Sequence, residues 1–348
     1  MRGVRYFDGG AVHEGTLTDD GRVLAEAAPA GTPVLEGLIT GRFTDHHVHL
    51  QLVDHTLLAG SRLGRVLDLG AEPAWIREVA VHNSANSGAV GAESADSGVA
   101  RTISAELWTP IIAYAGPFLT TPGGYPSDRA WAPTGSVREI TDAADARTAV
   151  AEVAATGAAV VKITSHTEAG PVLDDALVQA IVDAAVTEGL LVVAHAEGAG
   201  QAQRMARLRA DMLAHAPFTE PLTAAEIAEQ VAAVSWISTL AVHGDAQRAI
   251  AIDNVRRFAA AGGTVLYGTD MGNGDTPVDL REDEITALRD AGVDGLALLT
   301  ALAPLSPLSP VGALDTAGAT RETATPLLLV PDDDPLRARP LTPADLED

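Results

Sequence analysis

The chain has 348 residues, of which 47% are hydrophobic and 20% charged, and it contains no cysteine. The lack of cysteine excludes disulfides and thiolate metal sites. The formal net charge of -24 argues against nucleic acid and anionic membranes as partners, because both carry charge of the same sign. The start shows no signal-peptide core, and no window reaches the ~20 apolar residues of a membrane span, so we expect a cytoplasmic protein.

Both ends of the chain predict short β-strands. Residues 1–41 alternate loosely between apolar and polar residues and contain the turn signals DGG, DDG and PAGTP. This pattern predicts antiparallel strands joined by tight turns. Near the other end, the segment TATPLLLVPDDDPL has one strong strand candidate at 327–330, which we expect to return to the N-terminal sheet.

Between these ends, short apolar runs recur, each followed by a turn and then by a longer segment. Strands that read as continuous apolar runs are buried on both faces, as in parallel sheets covered by helices. Eight such units predict an α/β fold of the (β/α)8 TIM-barrel type over residues 42–324. The runs are GRFTDHHVHL, GRVLDLG, WTPIIAYAG, GAAVVKITS, GLLVVAHAEG, ADMLAHAP, VSWISTLAV and GTVLYGTDMG.

Three of the intervening segments have apolar residues at helical spacing, namely 142–157, 174–189 and 244–263. The first two begin with Asp and all three end with Gly, as helices commonly do. Residues 83–104 are instead small, polar and aperiodic. They predict a long mobile loop, which is either a lid over the mouth of the barrel or an insertion.

The first run holds the densest group of histidines. Strand alternation places Asp45, His47 and His49 on one face, and His46 on the other. Two histidines two residues apart on a strand that faces a barrel interior can bind a metal ion together. Because H-x-H is a short pattern, a pair of surface histidines on an edge strand is the alternative.

Four later runs carry a polar residue inside an apolar strand or at its C-terminal end. Lys162 lies in the middle of AAVVKITS, and a buried ammonium must be paired, neutralised or modified unless it reaches solvent at a strand end. His195, His215 and Asp270 end three other runs. Each alone fits a satisfied strand end. Together they predict one convergent site, because the C-terminal ends of barrel strands meet at the active-site face.

Two further histidines lie in loops that we expect at the mouth of the barrel. His166 follows the lysine strand, and His243 follows the WISTLAV strand. Each is a candidate for contact with a substrate, and the alternative is an ordinary loop residue.

This pattern resembles the amidohydrolase superfamily, in particular its imidazolonepropionase-like and prolidase-like branch. TDHHVHL matches the family's D-x-H-x-H opening, RVLDLG its second strand and VLYGTDMG its last. TTPGGYPS is similar to the Gly-Gly loop of that branch, where Tyr125 replaces a histidine of some relatives and is a further candidate for substrate contact. The resemblance covers the whole chain. It implies a catalytic barrel over 42–324 and a small β-sandwich from 1–41 and 325–348.

By resemblance, two divalent metal ions, preferably zinc, are bound together with a lysine that CO2 has carboxylated. The lysine carbamate would bridge the ions, the first two histidines and the aspartate would hold one, and the other histidines the second. The ions would share a water molecule and lower its pKa, which provides a hydroxide near neutral pH. Asp270 would be ligand and general acid/base in turn. The implied ligands are His47, His49, Lys162, His195, His215 and Asp270.

The implied reaction is hydrolysis of an amide-type C–N bond, peptide-like, N-acyl or cyclic, in a small molecule. Lactone or ester hydrolysis stays open, because the same hydroxide attacks either carbonyl. The deaminase branch has a Glu three residues after the strand-five histidine, where this chain has Gly198, while Glu197 falls one residue early. A catalytically silent metal-binding barrel is the non-enzymatic alternative. Homo-oligomers are common in the family and are possible here.

Overall fold

The structure is a computed structural model that describes residues 1–89, 110–304 and 327–347. The strands are β1 (Arg2–Phe7), β2 (Val12–Leu17), β3 (Val23–Leu24), β4 (Val34–Gly41), β5 (Phe43–Val48), β6 (Leu63–Asp68), β7 (Ile111–Tyr114), β8 (Phe118–Thr120), β9 (Val137–Glu139), β10 (Val160–His166), β11 (Leu191–Glu197), β12 (Met212–Leu213), β13 (Ser235–Ile237), β14 (Val265–Leu266), β15 (Leu327–Val330) and β16 (Arg339–Pro340). The α-helices are α1 (Pro73–Ala89), α2 (Ala143–Ala155), α3 (Asp175–Glu188), α4 (Gln201–Arg207), α5 (Ala224–Val231), α6 (Asp245–Ala260), α7 (Glu282–Asp290) and α8 (Leu296–Leu302).

The two ends of the chain share one six-stranded sheet in the order β16-β15-β4-β1-β2-β3. The predicted return of the tail is confirmed, because β15 pairs with β4 in antiparallel register. The sheet is mixed, since β1 pairs antiparallel with β2 and parallel with β4. Its inner face has a separate apolar cluster that includes Tyr6, Leu17, Ile39 and Leu329. The described residues form a single mixed sheet here, rather than the two layers of the expected sandwich.

Each of the eight predicted runs contains a strand of a parallel sheet. The strands β5, β6 and β7 form one sheet, and a second sheet has the order β14-β13-β12-β11-β10-β8-β9. All the pairings in both sheets are parallel. The α/β class with parallel sheets is therefore confirmed, and the carboxyl ends of the strands face the same side of the fold.

The two parallel sheets do not form one continuous closed ladder, so the expected TIM barrel is not confirmed. The sequence did not predict the short strands β8 and β9. The first lies next to β10, with Phe118 opposite Lys162, and the second pairs with β8 at the edge of the sheet. At the other edge, β5 meets the end of the second sheet only through the single bridge of Val48 with Met271 and a hydrogen bond from His46 N to Tyr267 O. Strands of three residues are too short to leave a periodic signal in the sequence.

The predicted helices are present as α2, α3 and α6. The Asp142 and Asp174 side chains accept backbone hydrogen bonds at the first turns of α2 and α3, and Gly189 ends α3 in the left-handed region at φ 71°. The loop prediction for 83–104 is wrong over 83–89, because α1 continues to Ala89; residues 90–104 lie outside the described residues. Within the described ranges, no helix is long and apolar enough to cross a membrane.

Candidate active site

The carboxyl ends of the parallel strands surround a cavity of about 360 Å³. All six residues implied as metal ligands line it, and each is at most 9% exposed. They come from five strand ends spread over more than half of the chain, which parallel pairing brings to one edge. These residues are His47, His49, Lys162, His195, His215 and Asp270.

Close contacts join Asp270 with His47, in β5, and with His49, just after that strand. Asp270 Oδ1 lies 3.2 Å from His47 Nε2 and 3.3 Å from His49 Nε2. The two Nε2 atoms are 3.3 Å apart. The H-x-H spacing therefore directs both rings to one point, as strand alternation requires.

The hydrogen bonds of these two rings indicate which nitrogen atom of each ring faces Asp270. His47 Nδ1–H donates to Ala214 O at 2.7 Å, and His49 Nδ1 makes a longer contact of 3.4 Å with Gly70 O. A carbonyl only accepts, so the proton of a neutral ring lies on Nδ1 and the lone pair on Nε2. Two lone pairs and a carboxylate oxygen of Asp270 thus face one another within 3.3 Å. A divalent cation fits this arrangement, because it satisfies all three acceptors.

His215 extends the same cluster. One ligand atom each from His47, His215 and Asp270 lie within 4.8 Å of one another. His215 Nδ1 pairs with Thr239 Oγ1 at 2.9 Å, which leaves the other ring nitrogen for the cavity. Burial holds the pKa of both His47 and His215 well below the usual value, which favours the neutral form of both rings.

Asp270 is held in an unusual backbone conformation. Its φ is +53°, in the left-handed region that favours glycine. The Asn273 side chain donates from Nδ2 to Asp270 Oδ2 at 2.8 Å, while Oδ1 faces His47 and His49. The two carboxylate oxygens therefore have separate partners. The sequence analysis did not identify Asn273, although it lies three residues after the aspartate in a Gly-rich turn.

Lys162 is the only lysine in the sequence. Lys162 is 1% exposed, and the part of the chain that the structure describes offers its amine no hydrogen bond or ion pair. Burial lowers its pKa from 10.5 to about 7, against the attraction of Asp270 and Asp68. A buried ammonium without a partner is costly, so the amine is easily neutralised.

A buried carboxylate, Asp45, joins the backbone of His47 to Thr269. Asp45 Oδ2 accepts from Thr269 Oγ1 at 2.6 Å, and its Oδ1 accepts from the backbone N–H of His47 at 3.0 Å and of Thr269 at 3.1 Å. Burial raises the Asp45 pKa to about 7. The residue connects β5 to the segment that carries Asp270. Its role is thus positional, although strand alternation alone placed it on the same face as the two histidines.

His195 lies beside His215 and also contacts a carboxylate. Its Nε2 donates to Glu197 Oε2 at 3.1 Å, and its ring centroid is 4.9 Å from that of His215. His166 Nδ1 lies 3.3 Å from the same Glu197 oxygen. These three residues form a second group whose ligand atoms lie within 4.8 Å of one another. Glu197 lines the cavity, and sequence analysis noted it only as a misplaced deaminase residue.

The three candidates for substrate contact occupy different places. Tyr125 and His243 line the cavity, whereas His166 contributes no lining surface and packs against the Tyr125 ring at 5.1 Å. His243 stacks on Phe218 at 4.0 Å, and its buried Nε2 has no hydrogen-bond partner in the described residues. That nitrogen is available to a ligand. Trp131 also lines the cavity, 6.0 Å from the Tyr125 ring.

The loop that carries His243 is fixed by a buried glutamate of α7. Glu284 is fully buried and accepts from Leu240 N at 2.9 Å and Ala241 N at 2.7 Å. Arg281 Nη2 donates to Ala241 O at 3.2 Å. These bonds satisfy buried backbone groups and leave His243 little freedom to move.

A scan of protein-family models and a search of curated proteins returned no match. Solved structures match over most of the chain. A Xaa-Pro dipeptidase with bound methionine is 14% identical, with a TM-score of 0.60 and coverage of 94% of this chain and 92% of that one. The ochratoxinase of A. niger is 15% identical, with a TM-score of 0.65 and coverage of 93% and 87%. The bottromycin amidohydrolase is 18% identical, with a TM-score of 0.63 and coverage of 99% and 87%. This chain therefore has the overall fold of these hydrolases.

Proposed function

We propose that this chain is a metal-dependent hydrolase of the amidohydrolase superfamily that cleaves an amide-type C–N bond in a small molecule. The observation that carries the proposal is the convergence of His47 Nε2, His49 Nε2 and Asp270 Oδ1 within 3.3 Å of one another, in the cavity that Lys162 also lines. The fold shared with a dipeptidase, an ochratoxinase and an amidohydrolase supports it. The cavity of about 360 Å³ suits a small substrate.

We also propose that the two parallel sheets act as one (β/α)8 barrel over 42–324, with a small domain from 1–41 and 325–348. The hydrogen bonds from His46 N to Tyr267 O and from His49 N to Met271 O support closure at one edge. The bond from Ala159 N to Tyr114 O supports it at the other.

Two divalent ions, preferably zinc, fit the donor set. His47, His49 and Asp270 would hold the first, and His215 with His195 the second, once His195 Nε2 exchanges its bond to Glu197 for the metal. Imidazole and carboxylate ligands suit zinc, with manganese, iron, cobalt and nickel as alternatives. When bound, such ions supply a hydroxide from water near neutral pH and polarise a carbonyl group.

Carboxylation of Lys162 would complete the ligand set. The neutral amine attacks CO2, a C–N bond forms, and one proton leaves to give an anionic carbamate. This exchanges a buried cation without a partner for an anion that two metal ions can neutralise, and the pKa of about 7 keeps much of the amine neutral for the attack.

The side chains around the cavity would then serve the reaction. Asp270 Oδ1 takes up a proton and returns it to the leaving nitrogen, while Asn273 retains Oδ2. His243 offers its free Nε2 to a polar group of the substrate. Deamination is disfavoured because Gly198 stands where the deaminase branch has its glutamate. Its φ is +106°, and an added Cβ would collide with Thr167 Oγ1 unless that side chain moved.

The test is hydrolysis of N-acyl amino acids, dipeptides and lactams by zinc-loaded protein, prepared in bicarbonate. We expect turnover that chelator abolishes and zinc restores, and that Asp270→Asn removes. Because Lys162 is the only lysine, carbon-13 bicarbonate should produce one side-chain carbamate signal in the NMR spectrum, absent in Lys162→Met. No turnover of any amide, ester or lactone by protein with full metal content would refute the proposal.

A further inference from the structure

The carboxyl end of β11 places one carboxylate in the wall of the cavity, apart from the H-x-H cluster. Glu197 lies opposite His166 in the β10–β11 register, and its Oε2 receives both histidine contacts, at 3.1 and 3.3 Å. For Oε1, the described residues provide no hydrogen bond or ion pair. The side chain is 22% exposed. One oxygen is therefore fixed by the protein, and the other is available to a ligand in the cavity.

The described part of the cavity wall holds few groups that could carry a positive charge. Among the described residues that line the cavity, Lys162 is the only lysine or arginine, and it lies at the buried metal side. Arg129 lies 5.7 Å from the centroid of the Tyr125 ring, outside the lining, and pairs with Asp128. A substrate carboxylate near Glu197 would thus meet a negative charge without a guanidinium to balance it.

One aromatic ring packs against the histidine that contacts this carboxylate, and a second lines the same cavity. The Tyr125 ring is 5.3 Å from that of His195, the ring that donates to Glu197. Trp131 is 40% exposed although it lines the cavity, so an indole is available at its rim. Carboxylates and aromatic faces together are favourable surroundings for an ammonium group. The net charge of -24 also attracts cations toward the protein.

We infer that Glu197, with Tyr125 and Trp131, forms a subsite for a positively charged amine of the substrate. The preferred substrates are then amides that carry an ammonium group on the part of the molecule remote from the scissile bond, rather than amides that end in a carboxylate. The inference rests on the proposed function for the identity of the scissile bond, but the cation subsite itself does not depend on it.

The first experiment compares three amides of benzoic acid whose alkyl chains, of equal length, end in an ammonium, a hydroxyl or a carboxylate group. With zinc-loaded protein, we expect kcat/KM to fall in that order. Glu197→Gln keeps the size of the side chain and should lower the ammonium-to-hydroxyl ratio about tenfold, as expected for loss of one charge-assisted contact. Glu168→Gln is the matched control, because Glu168 is an exposed glutamate just beyond β10 and should keep the wild-type ratio.

The second experiment measures binding alone by calorimetry with choline and with its uncharged carbon isostere, dimethylbutanol. A quaternary nitrogen has no lone pair and cannot bind zinc, so this probe reports the carboxylate. Choline should bind about tenfold more weakly to Glu197→Gln than to the wild type, and dimethylbutanol equally to both. If choline binding depends on Glu197 while no amide is hydrolysed, the subsite stands and the proposed function fails.

Two outcomes would overturn the subsite. One is a preference for the carboxylate amide, or an ammonium-to-hydroxyl ratio that Glu197→Gln leaves unchanged. The other is that Glu197→Gln and His166→Asn each remove one equivalent of bound zinc and leave choline binding unchanged. In that case the group of His166, His195 and Glu197 holds a metal ion instead of a substrate amine.

Discussion

Replacement of Lys162 by methionine should stabilise the metal-free protein and abolish its activity. Methionine has a similar length and is apolar, so it fills the same buried space without an ammonium group. The loss of the amine also removes the only group that can form the proposed carbamate. Stability and activity are therefore expected to change in opposite directions, which separates this effect from general damage to the fold.

The size of the gain follows from the lysine pKa. Burial lowers it from 10.5 to about 7, so between these values the unfolded state binds more protons than the folded state, and the free energy of unfolding rises with pH. Each pKa unit corresponds to about 1.4 kcal/mol, so the full penalty is about 5 kcal/mol at pH below 7 and vanishes above 10.5. Lys162→Met should be free of this dependence.

The assay is urea denaturation of chelator-treated protein in CO2-free buffer, followed by circular dichroism from about pH 6 to pH 9.5, below the range in which tyrosines ionise. The stability difference between Lys162→Met and the wild type should be several kcal/mol at the acidic end and shrink steadily as the pH rises. Glu168→Gln should show no such trend. A difference that stays constant over the whole range would show that the lysine is not an unpaired buried cation, and the reasoning would be refuted.

Three other substitutions test the groups that position the site. Asp45→Asn places an NH2 group against the N–H and O–H donors of Thr269 and His47. The free energy of unfolding, measured by urea denaturation, should fall by about 2–3 kcal/mol. Unchanged stability would contradict the hydrogen bonds described. Asn273→Ala releases one oxygen of Asp270 and should lower kcat about tenfold with KM within about twofold in steady-state kinetics, whereas a change in KM alone would argue against positioning. Glu284→Ala leaves two backbone N–H groups of the β13–α6 loop unpaired, and should cost about 3 kcal/mol and speed their hydrogen exchange; slow exchange there would count against the anchor.

Local patterns in the sequence were enough for the fold class and for most of the candidate ligands. A polar residue in a continuous apolar run has few interpretations. Burial of a charged group such as Lys162 or Asp270 costs free energy unless a partner compensates it. The helix ends were also predictable from nearby residues. Asp142 accepts hydrogen bonds from the first turn of α2, and Gly189 ends α3. The single lysine was a further signal in the composition, which pattern reading along the chain did not use.

Contacts between residues far apart in the chain could not be predicted from these local patterns. No periodicity shows that β8 inserts beside β10, that α1 continues to Ala89, or that His195 Nε2 bonds to Glu197. The sequence by itself determined which side chains stand at the ends of buried strands, because that depends on alternation and hydrophobicity within a few residues. Only the tertiary structure decided which of these side chains meet and which atoms they present, because those distances depend on the register of strands that lie far apart in the chain.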